Sequence, residues 1–123
     1  MATDDIVFGD VAISSSCATL DGVTQVPIYT FEPGSDGSYA LQATVLAWQV
    51  GGGGASYFLE INWTRNAGSL AVDGTVFSSP TGSLAPGGLA VDVSGAEARV
   101  LVVGLNNQPL LWRLRGVRLD LTV

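Results

Sequence analysis

Few residue types in this chain could carry out catalysis, and the missing types exclude most of the usual chemistry. The sequence contains no histidine and no lysine, which are the most frequent general base and the usual Schiff-base former. Carboxylates and the single thiol of Cys17 remain, and we expect Cys17 to be a small buried apolar residue. Asp4, Asp5 and Asp10 lack the spacing of a calcium-binding loop. We therefore expect no enzymatic activity, no bound metal ion and no cofactor.

The three tryptophans could form a sugar-stacking platform, but two of them have another explanation. Trp63 and Trp112 share the alternation phase of the aliphatic residues around them, which predicts that both lie in the core. This pattern does not predict whether Trp48 is buried or exposed. Trp48, Tyr29 and Tyr39 are therefore the aromatic candidates for a carbohydrate-binding surface.

Three of the five basic residues lie close together near the carboxyl end, at Arg113, Arg115 and Arg118. Such a group either forms a solvated face or makes ion pairs with acidic residues of a neighbouring subunit. Glu60 lies on the outer side of its predicted strand. We expect Glu60 to make a cross-strand hydrogen bond or ion pair, for example with Arg113 or Arg115, rather than to act as an acid catalyst.

The composition limits the size of the fold and the kinds of partner. A chain of 123 residues is expected to form one domain. Hydrophobic residues make up 47% and charged residues 13%, about half the usual charged share. So few charges predict that other chains cover part of the surface. The net charge of -6 disfavours binding to nucleic acid or to anionic membranes.

A long hairpin organises the predicted fold. Tyr39–Val50 and Ser56–Arg65 are apolar segments joined by the glycines of Gly51–Gly54, and the second segment alternates with the period of two of a half-buried strand. The glycine run lacks the Lys and Ser/Thr of a phosphate loop and is interpreted as the turn. The first segment is apolar on both faces, which predicts a central strand or one covered by a partner chain.

Turn signals divide the chain into about eight strands, which predicts an all-β fold: an antiparallel β-sandwich, either plain or of the jelly-roll type. Residues 1–17 are expected to form an extended N-terminal arm or the first strand, and residues 18–123 the sandwich. The apolar phase changes around Gly9 and Asp10, which predicts a bulge or bend there. Pro27 predicts an edge strand or a strand that is open at that point, and Val100–Leu105 predicts a strand buried on both faces.

The last segment contains a change of phase. Leu110, Trp112 and Leu114 alternate with arginines, and apolar residues then resume one position out of step from Val117 onward. A regular strand would expose the second half, so we predict a bulge at Arg115 or Gly116.

From about Ala18 to Val123, strands and turns follow one another in a recognisable order. The features are the strand Leu20–Ile28; the alternating residues Tyr39, Leu41, Ala43, Val45 and Ala47; the glycine turn with Tyr57–Arg65; Gly68; the strands Leu70–Val76, Leu89–Val93 and Val100–Gly104; and Trp112 with Arg113 before a terminal apolar alternation. This order resembles a β-sandwich domain of tailed-bacteriophage virion proteins, namely capsid decoration or head-fibre proteins and modules of tail fibres.

The resemblance implies a structural component of a phage virion, a capsid decoration (cement) protein that stabilises the outer shell through inter-subunit contacts. The implied partners are copies of the chain itself, as a homotrimer, and the major capsid protein or other virion proteins. A head-fibre, tail-fibre or carbohydrate-recognising receptor-binding module is the alternative. The residues expected to contact partners are Ile6, Phe8, Val11, Trp48, Arg113, Arg115 and Arg118.

The implied location is the virion, either on the capsid surface or on a fibre. The N-terminus shows no secretion signal, and no run of residues is apolar enough to span a membrane. We therefore expect synthesis in the host cytoplasm.

Overall fold

The computed structural model describes the backbone of residues 7–122 and the side chains of residues 9–122. These residues form eight strands: β1 (Val7–Thr19), β2 (Val26–Phe31), β3 (Gly37–Trp48), β4 (Gly54–Asn66), β5 (Ser69–Phe77), β6 (Gly88–Ser94), β7 (Glu97–Val103) and β8 (Leu110–Thr122). Within residues 7–122 there is no helix with the length and apolar character needed to cross a membrane.

The strands form two antiparallel sheets packed as a sandwich, which confirms the predicted all-β fold. The larger sheet has the order β1-β8-β3-β4-β5 and the smaller sheet the order β2-β7-β6. β1 pairs with β8 and β2 pairs with β7, so the first and last strands are nested as in a jelly roll. β3, β4 and β5 instead form a meander within one sheet.

The predicted hairpin is confirmed as β3 and β4, which pair continuously from Gly37 with Arg65 to Trp48 with Gly54. The amide of Gln49 donates to the Gly53 carbonyl at 3.0 Å. Gly51 has a φ of 77°, a conformation that glycine adopts without steric cost. The turn is therefore tight because the glycine run permits it.

The core lies between the two sheets, and Trp63 and Trp112 are buried in it as predicted. The ring of Trp112 stacks with that of Tyr57 at 6.2 Å between centroids. The Trp112 indole nitrogen donates to Thr19 Oγ1 at 2.9 Å, which satisfies a buried donor that would otherwise cost stability.

Two predictions about strand position are confirmed, whereas a predicted bulge in β1 is not found. Pro27 lies in β2, an edge strand, where the register shifts between Pro27 and Tyr29. β7 is the central strand of the smaller sheet, and Val100–Val102 are buried. The bulge predicted near Gly9 is absent, because β1 pairs with β8 without a register shift from Val7 to Thr19. β1 also runs through the boundary expected after residue 17.

The predicted bulge at Arg115 or Gly116 is also wrong. β8 keeps a continuous register with β1 and with β3 through these residues. Alternation therefore continues, and Val117, Leu119 and Leu121 point away from the smaller sheet. The residues of the other phase face inward, and among them the carboxylate of Asp120 neutralises the charge of Arg118.

The β4–β5 turn depends on an acidic residue from another loop. Ala67 and Gly68 both have positive φ, at 50° and 79°, as a two-residue type I′ turn requires. Their amides donate to the carboxylate of Asp36 at 2.9 and 3.0 Å. Asp36 also pairs with Arg65 at 3.2 Å. This one side chain therefore holds the turn in its unfavourable conformation.

Replacing Asp36 with alanine should lower the free energy of unfolding by about 1–2 kcal/mol, because two charge-assisted hydrogen bonds and a partly exposed ion pair are lost. Urea denaturation followed by circular dichroism measures the change. Asp36→Asn is the control and should lose less, since its amide oxygen can still accept a hydrogen bond. An alanine variant as stable as the parent would show that the turn holds without Asp36.

Candidate interaction surface

The larger sheet has one open side, which we call the outer face: the side that points away from the smaller sheet. Within the described residues, eight of the thirteen exposed large apolar side chains lie on it, each 47 to 63% exposed: Leu46, Trp48, Phe58, Val76, Leu111, Val117, Leu119 and Leu121. The surplus apolar surface is thus concentrated on one face. Apolar areas of this kind mark interaction sites.

The outer face has a recess beside β8. Leu119 is paired with Ala40 of β3 and Leu121 with Ser38, so large side chains stand next to small ones. These four residues, with Gly9 and Asp10, line a depression of about 340 Å³. The outer face therefore has relief into which a side chain of another molecule can fit.

The exposed charges of the outer face lie on different strands. Arg113 and Arg115 are on β8, and Glu60 is on β4, with β3 between them. The Arg113 guanidinium donates to Ser14 Oγ at 3.3 Å. Among residues 7–122, neither arginine forms an ion pair with Glu60. The predicted cross-strand pair with Glu60 is therefore wrong, because the two strands are not neighbours.

Arg118 does not belong to this surface. Its guanidinium forms a two-point contact with Asp120 at 2.7 and 2.8 Å and donates to the Tyr29 hydroxyl at 2.6 Å. It also lies 4.2 Å from the centre of the Phe31 ring, within range of a cation–π interaction. The hydrogen bonds that Arg118 donates to Asp120 raise the pKa of its guanidinium further. Arg118 is therefore an internal ion-pair residue, separate from Arg113 and Arg115.

The structure places the other expected contact residues in different surroundings. Trp48, Arg113 and Arg115 are exposed on the outer face. Val11 is half-buried and packs against the core. Ile6 lies outside the described residues, and for Phe8 only the backbone, within β1, is described.

Sequence reasoning missed most of the apolar residues of the outer face. The bulge predicted at Arg115 or Gly116 would turn Val117, Leu119 and Leu121 inward. Phe58 alternates with buried residues of β4, and that position already indicated an outward side chain. The signal in β8 was the change of phase itself.

Two of the three aromatic candidates for carbohydrate binding are not available for it. Tyr39 is buried and donates its hydroxyl to the Ser35 carbonyl. Tyr29 is half-buried against Arg118, and burial raises the pKa of its hydroxyl. Trp48 is exposed and lines an open groove of about 470 Å³ that also includes Thr81 and Ser83.

The thiol and the carboxylates form no cluster of the metal-binding type in the described part of the chain. Cys17 is half-buried against the core, and burial raises the pKa of its thiol, which disfavours the reactive thiolate. Among residues 7–122 no three Cys, Asp or Glu side chains lie close enough to hold a metal ion.

The fold and the surface together define an all-β sandwich with an open apolar sheet face. No protein-family model matches the sequence, and no curated protein does. Among solved structures, the chain aligns with the tailspike protein of Acinetobacter phage vB_ApiP_P1 at 13% identity and a TM-score of 0.40. The alignment covers 89% of this chain and 22% of the tailspike, so this chain spans about a fifth of that protein's length.

Proposed function

We propose that this protein is a structural component of a phage virion, a capsid decoration protein that stabilises the shell by packing its outer face against neighbouring subunits. The observation that carries the proposal is the outer face, where apolar side chains stay exposed on a sheet that is otherwise well packed. The order of strands and turns, which resembles that of virion β-sandwich domains, supplies the biological setting. The low charged fraction agrees with a surface partly covered by other proteins.

The physical basis is burial of apolar surface. Covering such side chains contributes about 25 cal/mol per Å² of apolar area removed from water. A contact of standard size, about 800 Å² per partner, outweighs the entropy lost on association when its centre is well packed. The half-exposed Leu46, Trp48 and Leu111 supply apolar contact area near one end of the face, and Leu119 and Leu121 do so near the other.

We propose no catalytic role and no binding of nucleic acid or membranes. The absence of histidine and lysine and the net charge of -6 support this part of the proposal. In the same setting, the proposed partners are copies of this chain, as a homotrimer, and the major capsid protein or other virion proteins.

A fibre or receptor-binding module is the second candidate, and Trp48 is the observation that favours it. Its exposed ring lies beside the hydroxyl-bearing side chains of Thr81 and Ser83, and aromatic rings with nearby polar groups suit amphipathic ligands. A glycan array with the parent chain and Trp48→Ala tests this candidate. Binding that is lost with Trp48 supports it, and no binding by the parent rejects it.

The test of the first candidate uses particles of the phage that encodes this chain, purified on a density gradient. We expect mass spectrometry to find the chain in many copies per particle, and the purified chain to cosediment with assembled heads. Presence only in tail fractions would favour the fibre module. Absence from purified particles would overturn the virion assignment.

A further inference from the structure

We propose that a second copy of this chain packs on the outer face, with Arg115 of one copy placed between Phe58 and Glu60 of the next. This inference rests on the proposed function, because it names the occupant of the same surface. It follows from the size of the face, from the separation of its charges and from the registers of β8, β3 and β4.

The outer face is large enough for a stable subunit contact. Five strands about 4.8 Å apart span roughly 24 Å, and a strand of 13 residues at about 3.4 Å per residue spans roughly 44 Å. The product is about 1,000 Å², compared with about 800 Å² per partner in a standard interface. A second copy of the same sheet can therefore supply a matching area.

Opposite charges lie on opposite sides of β3. The β8 side carries Arg113 and Arg115, with one carboxylate, Asp10, on the neighbouring β1, whereas the β4 side carries Glu60 and, on the neighbouring β5, Asp73, so the two sides differ in the sign of their net charge. β3 contributes uncharged residues between them, including Leu46 and Trp48. A rotation axis that runs above β3 and parallel to it therefore brings the basic half of one copy onto the acidic half of the next.

The strand registers specify which residues meet in this arrangement. Arg115 is paired with Thr44 of β3, and Thr44 is paired with Phe58 of β4. Rotation about an axis parallel to β3 keeps this level along the strands, so Arg115 comes to lie over Phe58. Glu60 is two residues further along β4, within diagonal reach of a long side chain. Arg115 thus gains a carboxylate partner and an aromatic ring.

Two other arrangements of two copies are unfavourable. An axis centred on β8 would place Arg113 and Arg115 against the same residues of the partner, which is repulsive. Pairing through the open edge of β5 would meet a bulge at Asp73, which has no partner residue on β4. Bulges and charges at edge strands oppose strand pairing. Packing through the outer face about an axis above β3 is therefore more favourable than either of these two arrangements.

The contact has a built-in spectroscopic probe. Trp63 and Trp112 are buried, whereas Trp48 is exposed on β3, next to the proposed axis. Acrylamide therefore quenches mainly Trp48 in the separate subunit. We expect quenching to fall as the protein concentration rises, in parallel with an increase in mass measured by light scattering after size exclusion. The mass should be that of two or three copies, because an axis parallel to β3 can be two-fold or three-fold.

Charge exchange tests the pairing itself. Glu60→Arg and Arg115→Glu should each weaken association at least tenfold, because each places like charges together. The double variant should return to within about threefold of the parent. Glu97→Arg is the matched control, since it makes the same change of charge on an exposed residue of the smaller sheet, and it should associate like the parent. Circular dichroism confirms that each variant is folded.

The possible results separate this inference from the function on which it rests. A parent chain that stays monomeric at all concentrations, or a double variant no better than the single ones, overturns the inference. Binding to heads by such a monomer removes the proposed homotrimer but leaves the capsid-decoration role intact. Self-association through the outer face by a chain that is absent from particles supports the inference and removes the virion role.

Discussion

Replacing Arg118 with leucine should lower the free energy of unfolding by about 2–4 kcal/mol. A double variant in which apolar residues replace both Arg118 and Asp120 should recover most of that loss. The side chains of Arg118 and Asp120 are only 14% and 20% exposed. The single change leaves the carboxylate of Asp120 largely out of water and without its partner, and it removes the contacts to Tyr29 and Phe31. An uncompensated buried charge costs more than an apolar pair of similar volume.

Urea denaturation of the single and double variants, at one protein concentration, measures this difference. Arg113→Leu is the matched control, because it makes the same replacement on the same strand at an exposed position, and it should change the stability by less than about 0.5 kcal/mol. If the double variant is as unstable as Arg118→Leu, the ion pair itself and not the unpaired carboxylate contributes the stability.

Gly116→Ala should destabilise the protein by about 2–4 kcal/mol, near or above the upper end of the usual cost of overpacking. A Cβ atom at Gly116 would overlap the carbonyl oxygen of Gln42 and lie 2.8 Å from the Cα of Ala43. Backbone atoms in the centre of a sheet cannot move aside without breaking the pairing of β8 with β3. The glycine is thus required by close approach of the two strands.

Gly74→Ala is the matched control, since a Cβ there would meet no atom within 4 Å. Its stability should equal that of the parent or exceed it by up to about 0.5 kcal/mol, because alanine loses less backbone entropy than glycine on folding. Equal losses from the two substitutions would show that strand propensity and not the contact with β3 decides the effect.

The hairpin, the edge position of β2 and the central position of β7 could be predicted because each depends on local signals. Four glycines between two apolar segments favour a turn, and Pro27 lacks the amide that a central strand must donate. The burial of Trp63 and Trp112 follows from alternation within a single strand. In these cases the residues concerned and their neighbours in the sequence are enough to explain the observed turn, strand position or burial.

The candidate surface could be predicted only in part, because its residues come from strands that are distant in the sequence. Trp48 and the pair Arg113 and Arg115 were identified from their types. The separation of Glu60 from both arginines depends on the insertion of β3 between β8 and β4, and strand order is a non-local property. No pattern within β4 or β8 contains that information.

Period-two alternation and a charged share of 13% are local and compositional facts, and they are enough to predict a β-sandwich with an excess of apolar surface. Which side of β8 is open depends instead on contacts between residues that are distant in the sequence. Asp120, Tyr29 and Phe31 together make an inward position for Arg118 favourable. With that charge neutralised inside, β8 stays in register, and its last apolar residues lie on the outer face.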